Sequence, residues 1–287
     1  MAKAPPHKLG QVIGELLERA CREPLAMVAA KRGLYLDRRS PRAERAGRSK
    51  VTWEDANGNT HDLDYVLEAG GDDQRRGRPK AFVEIAWRRY TKHSRNKAGE
   101  IYGALRPLFE RWRDEHPFMG VVLAGDWTGA TLAQLRSQGF VVLHIPFESI
   151  VSAFGVVGVD AAYNEGTDDR AVAREITKWE RLTIEQRRRV EGELRRLHSD
   201  DFEAFTDELD RTLSRSVVEV RVLPLHGEPH AVCDVASALR FIESYDERRA
   251  PVAFARFEVE VRYSNGDEVR GRFEAKDDAR RFLSALA

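Results

Sequence analysis

The stretch that decides the fold spans residues 62–97 and reads DLDYVLEAGGDDQRRGRPKAFVEIAWRRYTKHSRNK. It contains two short apolar segments, and each carries one carboxylate, Asp64 in the first and Glu84 in the second. A carboxylate in a buried strand is costly unless a partner compensates its charge. Two of them on neighbouring strands would repel each other unless a cation lay between them. The pair therefore predicts a hard divalent cation, Mg²⁺ (or Mn²⁺), which one or two carboxylates and several waters can hold.

A run of basic residues follows Glu84. The segment from Trp87 to Lys97 contains no acid, and its cations are Arg88, Arg89, Lys92, Arg95 and Lys97. A basic run by itself is usually a solvated loop, and a single buried glutamate is often a structural ion pair. Basic residues beside a metal-binding carboxylate pair instead suit a phosphate backbone. We therefore predict that Arg88, Arg89, Lys92 and Arg95 bind nucleic acid.

Periodicity around this stretch predicts alternating helices and strands in the first half of the chain. We expect helices at 8–22, 94–113 and 130–137 and strands at 50–54, 60–68, 81–87, 118–124 and 140–145. Two polar segments, 37–50 and 69–80, are predicted to be flexible loops. The last two strands are apolar on both faces and are joined by a short helix, which indicates a parallel crossover in a sheet covered by helices.

The rest of the chain divides into two further parts. A Gly-rich and then polar segment, 151–170, indicates a boundary, and helical patterns follow it. After them come strands and helices of a compact α+β unit, including the alternating segment 257–263 and the turn Asn265-Gly266. We predict a core at residues 1–155, a helical segment at 156–214 and a small α+β domain at 215–287 that serves recognition, dimerisation or partner contact.

Composition excludes several classes of protein. The 287 residues are 42% hydrophobic, which is enough for one or two cores and excludes a polar disordered chain. The sequence has no run of about 20 apolar residues, so we predict no membrane span. Two cysteines and the lack of a secretion-type apolar segment near the N-terminus predict a cytoplasmic protein. The net charge is zero, but residues 1–150 carry +6 and residues 151–287 carry −6. This asymmetry fits two interpretations equally well: a polyanion that meets the first half, or an ordinary imbalance that only aids solubility.

The order of strand with Asp64, loop, strand with Glu84, helix, strand, helix and strand resembles the core of the PD-(D/E)XK nuclease superfamily, which includes many restriction endonucleases. The resemblance covers residues 1–150, about half of the chain. It implies a restriction-endonuclease-like mixed sheet flanked by helices, in which Asp64 and Glu84 hold Mg²⁺. An N-terminal helix often supplies a further glutamate in such enzymes, and Glu15 is the residue expected here. A lysine would orient or deprotonate the attacking water.

This sequence departs from the superfamily pattern at the lysine. The lysine belongs two residues after the glutamate, and Ala86 stands there. Either the lysine has moved to the next helix, as some members allow, or the site is inactive. Lys97 shares the inward helix face with Ile101, so it is the first choice, and Lys92 is the second.

These observations predict a Mg²⁺-dependent DNA endonuclease, a hydrolase of restriction or phage-defence type. A nuclease that cuts both strands usually works as a symmetric pair, so a homodimer is expected, and other defence-system subunits are possible partners. The alternative is a catalytically inactive nuclease-fold subunit for DNA binding or assembly in a defence or repair complex. A third class is an effector that acts on RNA. The active endonuclease and the inactive subunit are distinguished by whether Lys97 or Lys92 reaches Glu84.

Overall fold

A computed structural model of the chain describes residues 4–91, 94–224, 229–248 and 254–286, except the side chains of residues 94 and 95. The chain divides into two compact units. Unit 1 comprises Met1–Trp112 and Pro117–Asp210, and unit 2 comprises Arg113–His116 and Arg211–Ala287. Each unit has its own hydrophobic core.

Unit 1 is built on a mixed five-stranded sheet. Its helices are α1 Pro5–Lys31, α2 Ser94–Arg111, α3 Gly129–Ser137, α4 Phe147–Gly155, α5 Asp169–Glu180, α6 Ile184–Leu197 and α7 Ser199–Leu213, the last of which runs into unit 2. Its strands are β1 Tyr35–Arg38, β2 Val51–Glu54, β3 Thr60–Leu63, β4 Tyr65–Ala69, β5 Arg78–Arg88, β6 Phe118–Gly125 and β7 Val141–Ile145. The five-stranded sheet has the order β1-β4-β5-β6-β7, and β2 and β3 form a separate hairpin.

Strand direction changes in the middle of this sheet. The pairs β1–β4 and β4–β5 are antiparallel, whereas β5–β6 and β6–β7 are parallel. The chain is thus a mixed α/β protein whose central sheet is flanked by helices, and the predicted parallel crossover is confirmed. Helices α5 and α6 pack on α1 within unit 1.

Helix α1 is longer than the sequence pattern predicted. It runs without interruption through Pro24 to Lys31, whereas the pattern predicts a break at Pro24 with at most a short second helical segment over 25–32. A proline inside a helix lacks the N–H that would bond the carbonyl four residues earlier, here that of Ala20. The guanidinium of Arg195 donates a hydrogen bond to the Ala20 carbonyl at 3.4 Å. A donor from α6 therefore partly replaces the bond that Pro24 cannot make.

The two loops that were predicted to be flexible are fixed by buried ion pairs, which is a correction. Arg42, in the loop after β1, is 1% exposed and contacts both oxygens of Glu68 on β4 at 2.6 and 3.0 Å. It also donates to the carbonyls of Asp72 and Arg75 in the loop after β4. The sequence pattern missed this because arginine and glutamate are ordinarily solvent-exposed residues.

The strand pattern also differs in two details. Strand β1 was not predicted, because it is short and sits beside a basic segment. The predicted strand 60–68 is two strands, β3 and β4, separated by a bend at Asp64. Asp64 therefore lies immediately before the first residue of β4.

Unit 2 is an antiparallel sheet with two helices. Its elements are β8 Val217–Pro224, β9 His230–Val232, α8 Val235–Ser244, β10 Phe257–Tyr263, β11 Glu268–Phe273 and α9 Lys276–Ser284, and the strand order is β11-β10-β8-β9. One sheet face packs on the helices through alternating apolar residues such as Val259 and Val261. Charged residues alternate on the other face, where Glu260 lies opposite Arg221 and Arg270. The predicted C-terminal α+β arrangement is confirmed as an antiparallel sheet with helices.

No helix among the described residues has an apolar stretch long enough to cross a membrane.

Candidate active site

The register of β4 and β5 brings Asp64 and Glu84 together. Tyr65 pairs with Val83 in this antiparallel ladder, so Asp64, one residue before Tyr65, lies level with Glu84, one residue after Val83. Residues directly opposite in an antiparallel pair point to the same face with Cβ atoms about 5 Å apart. The backbone N–H of Ile85 donates to Asp64 Oδ2 at 2.6 Å, which fixes that carboxylate against β5.

Burial, together with the charge of a neighbouring carboxylate, makes both Asp64 and Glu84 hold their protons more tightly than usual. Burial raises the pKa of Asp64, while the Ile85 N–H bond lowers it. Burial also raises the pKa of Glu84, whose side chain is 18% exposed, and the charge of Asp64 raises it further. Two carboxylates in such an environment favour a shared proton or a shared cation.

Lys97 reaches this pair from α2. Its Nζ lies 3.9 Å from Glu84 Oε1 and 3.4 Å from Glu100 Oε2, and its side chain is 20% exposed. Its positive charge lowers the pKa of both Asp64 and Glu84. The structure therefore brings together Asp64, Glu84 and the lysine that the sequence pattern preferred.

Ala86 occupies the position where the superfamily pattern has its lysine. It is 2% exposed and lies in the hydrophobic core with Val66, Phe82 and Ile101. A strand alternates its side chains, so Ala86 and Glu84 face the same side of the sheet. Helix α2 covers that side, which is why a lysine on α2 can approach Glu84 although β5 has none at Ala86.

Of the glutamates on α1, Glu18 acts on the carboxylate pair through its charge, whereas the predicted Glu15 is exposed. The side chain of Glu15 is 66% exposed, and its Oε2 lies 3.8 Å from Nη2 of Arg19. Glu18 is one turn further along α1, and its charge raises the pKa of both Asp64 and Glu84. Burial raises the pKa of Glu18 as well. The sequence offers no signal that separates the two glutamates, because Glu15 adjoins the buried Leu16 just as Glu18 adjoins the buried Leu17.

The basic run divides into residues with different roles. Arg89 is held inside the protein: it contacts Asp126 Oδ2 at 2.7 Å, donates to the Tyr163 carbonyl at 2.8 Å and lies over the Phe147 ring. Its guanidinium is thus a structural anchor, which corrects its prediction as a phosphate contact. Arg88 is one-third exposed and lies 3.9 Å from Glu100. Lys92 and the side chain of Arg95 lie outside the described residues.

The oxygens of this site suit a hard divalent cation. In the part of the chain that the structure describes, no three His, Cys, Asp or Glu side chains gather closely enough to form a complete metal cage. Mg²⁺ commonly binds through one or two carboxylates and keeps several waters. Asp64 and Glu84, buried and mutually repelling, therefore fit such an ion as a carboxylate pair.

Comparison with known proteins adds little. No family model matches the chain, and no curated protein matches it. A crystal structure of the protein of unknown function AF1548 is similar to it at 9% identity, covering 69% of this chain and 98% of that chain, with a TM-score of 0.29. At that score the likeness supports no statement about fold or function.

Proposed function

We propose that this protein is a metal-dependent DNA endonuclease of the PD-(D/E)XK type, acting in restriction or phage defence. The observation that carries the proposal is the convergence of Asp64, Glu84 and Lys97. The fold supports the proposal as well. Asp64 and Glu84 lie at β5, which pairs with β4 in the antiparallel sense and with β6 in the parallel sense. A buried carboxylate pair with a lysine at one edge is suited to hydrolysing a phosphodiester bond.

In this proposal Asp64 and Glu84 would hold Mg²⁺ or Mn²⁺, which when bound would polarise the phosphodiester and lower the pKa of the attacking water. Lys97 donates a hydrogen bond that orients this water and places a positive charge beside the phosphate. The water oxygen forms a bond to phosphorus while one bridging P–O bond breaks. The water loses a proton to solvent, and the departing sugar oxygen takes one up.

Cleavage of supercoiled plasmid DNA in Mg²⁺ or Mn²⁺ tests this proposal. Asp64→Ala and Glu84→Ala should each abolish cleavage and leave the fold intact, because each removes a metal ligand and little core volume. Glu15→Ala, which removes an exposed carboxylate from α1, is the matched control and should cleave like the wild type.

Three results would contradict the proposal. Cleavage that persists in both site variants would mean that the activity arises elsewhere. A wild-type protein that binds DNA but never cuts it with either metal would favour an inactive nuclease-fold subunit for binding or assembly. Cleavage of RNA and not of DNA would support the RNA effector instead.

A further inference from the structure

Arg39 lies in the same row of the sheet as the two carboxylates. Arg38 pairs with Tyr65 in the antiparallel β1–β4 ladder, so Arg39, the next residue, is level with Asp64. Asp64 is in turn level with Glu84 across β4 and β5. The row therefore runs Arg39, Asp64, Glu84, and a cation stands at the open edge of the candidate site.

Arg39 is available to a ligand. It is exposed, and no hydrogen bond or ion pair engages its side chain within the described part of the chain. Two other basic residues of this region do have partners: Lys50 pairs with Asp62, and Arg48 donates to the Arg45 carbonyl. The Arg39 guanidinium can therefore pair with an anion that approaches the buried carboxylates.

The loop that carries Arg39 is held firmly in place. Its two ends meet through a hydrogen bond from the Ser40 N–H to the Ser49 carbonyl at 3.0 Å. Inside it, Arg45 is 5% exposed, contacts Asp37 Oδ2 at 2.5 Å and donates to the Ser40 carbonyl at 2.9 Å. The backbone on either side of Arg39 is thus fixed before a ligand arrives, which reduces the entropy lost on binding.

Electrostatics favour a phosphate at this point. The charge of Arg39 lowers the pKa of both Glu18 and Asp64, so it acts on the site although its side chain faces solvent. Glu18, Asp64 and Glu84 together would repel a phosphodiester that approached without a compensating cation. Lys97 supplies a cation on the α2 side, and Arg39 supplies one on the β1 side.

We propose that Arg39 binds the DNA backbone beside the scissile phosphate, its planar guanidinium donating two parallel hydrogen bonds to phosphate oxygens. Arginine suits this contact because its fork of N–H donors matches phosphate geometry. The inference rests on the proposed nuclease function. It adds a substrate-binding residue that lies in the loop after β1, outside the basic run that follows Glu84.

Equilibrium binding of duplex DNA in Ca²⁺, measured over a range of salt, tests the inference. Arg39→Ala should weaken binding about tenfold or more and flatten the slope of log K against log salt by about 0.9. Arg39→Lys should keep the wild-type slope, because the charge remains, but bind more weakly than the wild type. Arg189→Ala, which removes an exposed arginine from α6, is the control and should leave both quantities unchanged.

The outcomes separate this inference from the function on which it rests. If the wild type cleaves DNA and Arg39→Ala keeps the full salt slope, the inference alone is wrong. If Arg39→Ala changes the Mg²⁺ dependence of cleavage without changing the slope, Arg39 positions Asp64, and the phosphate contact is again refuted. If the wild type neither binds nor cleaves DNA, the proposed function fails and the inference falls with it.

Discussion

Asp64 and Glu84 make the folded protein sensitive to pH. Burial raises both pKa values above those of an unfolded chain, so between about pH 4 and the raised values the folded state binds more protons than the unfolded state. The free energy of unfolding then falls as pH rises through this window. The loss is about 1.4 kcal/mol per pH unit for each carboxylate that remains protonated only in the folded state.

We therefore predict that the metal-free protein is more stable at about pH 5 than at about pH 8.5. Asp64→Asn and Glu84→Gln should each reduce this difference, because an amide does not titrate, whereas the exposed Glu15→Gln should leave it unchanged. Urea unfolding at the two pH values measures the effect. Equal pH dependence in all four proteins would show that the pair does not titrate in this way.

A divalent cation should reverse the loss at high pH. An ion that binds only the folded state at about 100 times its Kd adds about 2.7 kcal/mol to the free energy of unfolding. Thermal unfolding at about pH 8.5 with and without Mn²⁺ measures this gain. The gain should vanish in Asp64→Asn, and a gain of equal size in that variant would place the ion elsewhere.

The site residues were predictable to different degrees. Asp64 and Glu84 stood out because a carboxylate within an apolar strand is rare, and Lys97 followed from its helical spacing to Ile101. The part-burial of Glu18 and the partners of Arg89 were not predictable for one reason: a sequence shows that a residue is charged, but only the fold shows what surrounds that charge. Arg89 meets Asp126, which lies 37 positions away.

At the scale of elements, the loops after β1 and β4 depend on Arg42. Its guanidinium satisfies Glu68, which is fully buried, and also contacts Asp37 at 2.8 Å. Without it, both loops would lose this ion-paired attachment to the sheet. The sequence does not indicate the contact between Arg42 and Glu68, because the two residues are 26 positions apart and polar loops have similar compositions.

Arg42→Ala should therefore destabilise the protein by about 3–5 kcal/mol, because it leaves the Glu68 carboxylate buried without its partner. The exposed Arg48→Ala is the control and should change stability by less than about 1 kcal/mol. Chemical denaturation of both variants measures the difference. A loss below about 1 kcal/mol for Arg42→Ala would show that the loops are held by other contacts.

The ends of β5 and β6 depend on a glycine. Gly125 has φ +95°, and a Cβ there would lie 2.0 Å from the Arg88 carbonyl oxygen. Gly125→Ala should cost more than about 2 kcal/mol. Gly129→Ala is the control, because a Cβ at that position meets nothing within 4 Å. Thermal unfolding compares the two, and equal stability would contradict the account of this close approach.

At the scale of the whole molecule, the two units have separate cores. The core of unit 2 consists of residues from its sheet and helices α8 and α9, including Val222, Phe257 and Phe282. The alternation in 257–263 and the turn at Gly266 made much of this unit predictable. The mixed sheet of unit 1 was predictable in its parallel part, where strands are apolar on both faces, but its edge strand β1 was not.

A chain that ends at Ser214 should therefore fold, because it keeps the whole sheet and core of unit 1. We expect it to unfold in one cooperative transition and to retain the stabilisation by Mn²⁺ at high pH. Circular dichroism during heating, with the full chain as the control, measures both. A broad transition without stabilisation by the metal would show that the candidate site needs unit 2.

The role of Lys97 in cleavage distinguishes an enzyme from a binding scaffold more directly than any other property of the site. The measurement is the single-turnover rate of DNA cleavage in Mg²⁺ for the wild type and Lys97→Ala, with DNA affinity determined in parallel. Lys97→Ala should lower the rate by about 10²-fold or more, the range for a group that positions or transfers a proton, and leave affinity within a few fold. If Lys97→Ala cleaves at the wild-type rate, Lys97 has no role in catalysis.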